Sequence, residues 1–192
     1  MPITSFDSIK QVVLQKLEGL DTRLVYHNVD HTLDVLKHAE RIAREENIEN
    51  ERYLYLLKVA ALYHDAGFLQ IYDGHEEQSC EIFTADAVHF DILEEEKIVV
   101  REMIMATKIT NEPRTHLEKI LRDADLDYLG RRDFDAISNR LKTELLQWGL
   151  IADGAEWDAR QLAFFKQHRY YTQSSQRLRE PVKHNNYRAL LT

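Results

Sequence analysis

Apolar residues recur along the chain at spacings of i, i+3, i+4 and i+7, not at every second position. That period predicts helices near 4–19, 29–46, 51–66, 76–88, 94–107, 114–129, 133–147 and 156–172, with a weaker one towards the C-terminus. Only six Gly and three Pro punctuate the 192 residues, and neither Asp-Gly step, at 73–74 or 153–154, joins two alternating runs. The expectation is all-α, a helical bundle of about eight helices. The segment WGLIADGA at 148–155 reads as the boundary between the main body and a final helical hairpin, and REPVKHNN at 179–186 reads as a surface turn.

Several polar residues fall where these helices should bury apolar ones. The stretch from 51 onward, ERYLYLLKVAALYHDAGF, is apolar on nearly all sides in its middle, which marks a central helix. It ends in His64–Asp65, with Gly67 placed to act as a C-cap glycine. The helix from 29 carries one apolar stripe of Val29, Leu33 and Leu36 and a second of Val35 and Ile42; His31 and His38 share the second. In the helix from 114, at about 100° per residue with Leu117 at zero, Leu121, Ala124 and Tyr128 fall within roughly 40° of it. On the same wheel Asp125 lies at about 80°, Asp127 at about 280° and Asp123 at about 240°. Asp125 is therefore the inward carboxylate, and Asp123 and Asp127 read as a solvated face. Each residue alone has a plain structural explanation: a hydrogen-bonded core histidine, or an acid in a turn. Together, two imidazoles and two carboxylates pushed toward one core suit a divalent cation, because an uncompensated buried carboxylate is costly.

Charge and cysteine content narrow the function classes. The net charge of −8 argues against general nucleic-acid binding, and one cysteine, Cys80, suits a reducing compartment without a disulfide framework. The opening MPITSFDSIKQVV has neither a basic n-region nor an apolar h-region, and no apolar run approaches a membrane span, so the expectation is one cytoplasmic domain over 1–192. Charge is uneven: residues 160–192 carry seven Lys/Arg against one acid. This basic tail either meets an anionic substrate or docks on the acidic body.

His31, then His64–Asp65, then Asp125, on an all-α background, resembles the H…HD…D pattern of the HD superfamily of metal-dependent phosphohydrolases. The resemblance spans about 25–130, leaving 131–192 as a C-terminal helical extension, and rests on YHNVDHTLDV, ALYHDAGF and DADLDYLG. It implies that His31, His64, Asp65 and Asp125 ligate the metal: Mn, Fe, Mg, Co, Ni or Zn, as one or two ions. YHNVDH followed by DV is also similar to the cyclic nucleotide phosphodiesterases, as is IMATK at 104–108. That similarity gives His27 the role of general acid. The chain is short for those enzymes and has no counterpart of their purine-clamping glutamine, so cyclic nucleotide specificity is not implied. A GYP element, and an ED after the HD pair, are both missing.

The implied activity is hydrolysis of a phosphate ester, a nucleotide among the candidates, by a metal-activated water, with Asp65 able to bridge two ions. His75 would face substrate or a second metal, or be a surface residue at a helix start; Glu76 reads as surface or dipole compensation. Lys108 would meet a phosphate or end a helix in solvent. Asp34 matches the family's DV; Arg169, Tyr170, Tyr171 and Arg177 either close over an anion or simply pack. The competing reading is a non-catalytic nucleotide- or metal-binding regulatory protein, and a more distant one an HD-fold oxygenase. A homo-oligomer is compatible with all three.

Overall fold

The computed structural model describes residues 5–191, so residue 4 of the expected first helix lies outside them. Nine helices and two short 3-10 turns, with no strand, make up the described residues. In chain order they are α1 (Phe6–Leu17), α2 (Val29–Glu45), α3 (Glu51–Tyr63), a turn at Ala66–Leu69, α4 (His75–Ala87), α5 (Glu94–Thr107), α6 (His116–Asp125), a turn at Asp127–Gly130, α7 (Phe134–Gln147), α8 (Gly154–Gln167) and α9 (Gln173–Ala189). The all-α expectation holds.

Most starts are fixed by side-chain caps. The Asn28 oxygen accepts from the N–H groups of Asp30 and His31 at 3.0 and 3.3 Å, and Asn50 caps α3 in the same way. Thr115 caps α6 through the Glu118 N–H, and Thr172 caps α9 through the Ser175 N–H. The three glutamates at 94–96 open α5, where the helix dipole favours them.

The central helix is α3, whose Val59 to Tyr63 run is fully buried. It packs on α1, α2, α5 and α6. A second apolar cluster of Tyr26, Leu126, Tyr128, Leu129, Phe134 and Phe165 joins the end of α6 to α7 and α8.

Four expectations need correction. First, α3 stops at Tyr63, and Gly67 lies inside the following turn, not at a left-handed cap; only Gly74 and Gly149 among the described glycines have positive φ. What Gly67 permits is close approach. A Cβ there would stand 1.9 Å from the His75 carbonyl oxygen, and its N–H donates to Ser79 Oγ at 2.8 Å. Second, 179–186 is the middle of α9, not a surface turn, although it contains Pro181. An interior proline costs about 3 kcal/mol. Tertiary contacts offset it: Arg179 Nε donates to Asp127 at 2.8 Å, and the Asn186 amide donates to the carbonyls of Leu129 and Arg131 at 2.9 and 3.0 Å. The basic tail thus docks on the acidic body, as Arg169 also does on Glu112.

Third, Asp123 and Asp127 are 1% and 0% exposed, not solvated. Asp123 accepts from Tyr171 N–H, Thr172 N–H and the Thr172 hydroxyl, the last at 2.7 Å. Asp127 pairs with Arg41, Arg179 and His38. The segment 169–175 covers the face of α6 that carries Asp123, while Asp127 lies beyond the end of α6, where the helical wheel no longer applies, between α2 and α9. Fourth, Glu76 is 8% exposed at the start of α4, so it is a buried acid and not a surface one.

Replacing Gly67 by Ala forces the 66–69 turn off the start of α4. The expected cost is about 3 kcal/mol, a Tm drop of roughly 6–12 °C for a chain of this size. Thermal unfolding followed by circular dichroism checks it; an unchanged Tm would show that the close approach does not exist.

Candidate metal centre and its cavity

The centre is assembled from helix ends. Asn28 sets the start of α2 and thereby the direction in which His31 points; the Tyr26 ring packs 4.6 Å from the His31 ring. His64 terminates α3, Asp65 follows it, and Asp125 is the last residue of α6. His31 Nε2 lies 3.3 Å from Asp65 Oδ2 and 3.2 Å from Asp125 Oδ1. His64 Nε2 lies 3.1 Å from Asp65 Oδ2, 3.7 Å from Asp125 Oδ1 and 3.4 Å from His31 Nε2. The structure thus brings all four expected ligands together.

Burial alone would push His31 down, but Asp125 and Asp65 reverse this and raise it to about 10. His64 also rises against its burial, through Asp65. Burial would raise the two carboxyls, yet the imidazoles hold both below the usual carboxylate range. The two imidazoles thus act as the counter-charge to the two carboxylates, a place that a divalent cation between them would take over.

Its chemistry fits a divalent ion. His64 Nδ1–H donates to the Ala61 carbonyl at 2.9 Å, which leaves the Nε2 lone pair for a ligand. Asp65 Oδ2 is buried without a hydrogen-bond partner. Donor atoms of His31, His64 and Asp65 lie within 4.8 Å of one another. Metal–ligand bonds of about 2.1 Å give donor separations of roughly 3.0–3.4 Å, close to those found.

His75 opens α4 beside this cluster. Its Nδ1–H donates to the Tyr72 carbonyl at 3.0 Å, and its Nε2 lies 3.5 Å from Asp65 Oδ1 and 3.6 Å from Glu76 Oε1. Phe68 is stacked between two histidines, with its ring centroid 4.3 Å from that of His27 and 4.0 Å from that of His75.

His27 has a partner that the sequence reading missed. Glu144 of α7 accepts from His27 Nδ1, from the N–H groups of His27 and Tyr26 at 3.0 and 2.8 Å, and from the Tyr72 hydroxyl at 2.8 Å. Burial would raise this carboxyl, but His27 and the backbone donors hold it below the usual range. Its only sequence signal is a carboxylate on the Leu141–Leu145 face of α7. Lys108, by contrast, pairs with Glu77 at 2.5 Å, while its neighbours Thr107 and Ile109 face the cavity. Asp34 pairs with Arg131 and His38, away from the metal donors.

One cavity of about 410 Å³ takes in His27, Asp65, His75, Glu76 and Asp125 at one end and side chains of α7 and α8 at the other. The model of the HD domain family matches residues 28–127 of this chain. No curated protein and no solved structure matches it. The matched span holds His31, His64, Asp65 and Asp125; His27 and Glu144 fall outside it.

Metal analysis of purified variants tests the ligand set. His64→Ala and Asp65→Ala are expected to weaken binding by more than the roughly 10–100-fold of an outer-shell change. Asp123→Asn is expected to keep its metal and lose only stability. Metal loss in Asp123→Asn alongside a metal-replete Asp125→Ala would move the fourth ligand to Asp123.

Proposed function

The chain belongs to the HD domain family, and we propose that it is a metal-dependent phosphohydrolase that cleaves a phosphomonoester or phosphodiester bond of a nucleotide or another small phosphate ester. The observation that carries this reading is the convergence of His31, His64, Asp65 and Asp125 at one point, with Asp65 and Asp125 opening onto a cavity that His27 also lines. HD domains typically bind divalent metals. These four residues would hold Mn, Fe, Mg, Co, Ni or Zn, and such an ion activates water and polarises a phosphoryl oxygen. Asp65 Oδ1, His75 and Glu76 are the donors available to a second ion.

His27 does the proton work in this reading. Glu144 accepts its Nδ1–H and so orients the ring and stabilises the imidazolium, whose Nε2–H is the proton that would pass to the leaving oxygen. Phe68 fixes the ring plane by stacking. The dyad favours an enzyme over a regulatory binding protein, because holding a metal or nucleotide needs no oriented acid. The cavity joins residues of the matched span to α7 and α8, which supports treating the chain as one functional unit. The lone, buried Cys80 supports a reducing, cytoplasmic setting. Among the described residues no helix is long and apolar enough to cross a membrane.

A panel of phosphomonoesters and phosphodiesters, assayed with Mn, Mg, Co and Ni, tests the activity. His64→Ala and Asp65→Ala are expected to abolish turnover with the helical circular dichroism retained. His27→Ala and Glu144→Gln are expected to lower kcat by about 10²–10⁴-fold while metal content stays constant. Tight nucleotide binding with no turnover of any ester would favour the regulatory reading, and a His27→Ala variant at full rate would remove the general acid.

A further inference from the structure

We infer that the organic group of the substrate is apolar, an alkyl or aryl group on a single phosphate, and that α7 and α8 form its binding wall. The phosphate end of this inference rests on the phosphohydrolase reading; the apolar end rests on the cavity itself. That cavity is sharply divided. Asp65 and Asp125 of the metal centre face it at one end together with His27, His75 and Glu76, and the Tyr26 ring beside them packs on His31. The rest of the wall is built from Leu126 and Leu129, Leu141 and Leu145 of α7, and Trp157 and Phe164 of α8.

Charge weighs against a polyphosphate. The lining carries three acids, Asp65, Glu76 and Asp125, and one cation from Lys or Arg, Arg160. Arg160 has a side chain 54% exposed and is engaged with Glu156 at 2.5 Å. A second or third phosphate would therefore lie against leucines and aromatics with no free cation to meet it. One phosphate has its counter-charge supplied at the metal end.

Hydrogen bonding weighs against a sugar and base. Beyond the metal end the polar groups on the wall are few, the Tyr26 and Tyr128 hydroxyls, the Trp157 indole N–H, Arg160, Thr107 and Gln161, and the Gln161 amide already donates to Ser138 Oγ. The Thr107 hydroxyl donates to the Ile104 carbonyl at 2.7 Å. The several hydroxyls of a ribose and the polar edge of a base would lose more hydrogen bonds to water than these few groups replace, which is costly. An alkyl or aryl group instead gains from every carbon it buries.

Two measurements on the Mn-loaded full chain decide this. In the first, kcat/KM is measured for methyl, propyl and hexyl phosphate, phenyl phosphate, glycerol phosphate, nucleoside monophosphates and ATP. The expected result is a rise of about fourfold per added methylene until the cavity is full, with the nucleotides and glycerol phosphate below hexyl phosphate. Leu141→Asn and Phe164→Asn are expected to flatten that slope. The second is calorimetric binding of the matching alkylphosphonates, which cannot be hydrolysed and should bind more tightly with chain length. Chain-length-dependent binding without turnover would keep the apolar wall and overturn the hydrolase reading. Turnover with no dependence on chain length, or with a preference for nucleotides, would overturn the wall and keep the hydrolase. Neither binding nor turnover would overturn both.

Discussion

Buried charge is the constraint around which this molecule is arranged. Two carboxylates and two imidazoles lie within a few ångströms of one another where a helical core meets a cavity, with little of their surface left to water. Each is tolerable because the others are beside it. Helix ends carry these side chains, and the caps and turns that satisfy the backbone there also fix the directions in which they point. His31 sits in the first turn of α2, His64 ends α3, His75 begins α4 and Asp125 ends α6. Arg122, itself buried, donates to the carbonyls of Ala106 and Ile109 at 3.0 Å each and secures the end of α5 against the same helix that presents Asp125.

The helices and the donor quartet were legible in the sequence because both follow a local period. The pattern at 29–46 placed His31 inward, and the wheel through Leu117 placed Asp125 nearest the core. The same wheel misplaced Asp123 and Asp127. It registers which face of a helix meets its own bundle, but not that a segment fifty residues later will cover the opposite face, nor that the helix ends before Asp127. Asp123 is held by the backbone of Tyr171 and Thr172, and Asp127 by Arg179. Glu144 was illegible for a related reason. In KTELLQ it looks like any glutamate of an amphipathic helix, and its partners lie 117 and 72 positions away at His27 and Tyr72. Proline at 181 misled in the opposite direction, because propensity argued for a turn where contacts hold a helix.

The part of the chain beyond the family match is therefore no appendage. It contributes the carboxylate that orients His27 and most of the apolar wall of the cavity. The His/Asp cluster comes from the matched span, and the apolar lining of the cavity beside it comes largely from α7 and α8.

Asp127 carries a consequence of its own. Arg41 from α2, Arg179 from α9 and His38 all meet this one buried carboxylate, two residues after Asp125. A helix held by few buried contacts frays on its own, at low free energy. Here, lifting α9 withdraws the Arg179 guanidinium from a buried acid in the turn that follows α6. Fraying of α9 is thereby coupled to the turn two residues beyond Asp125.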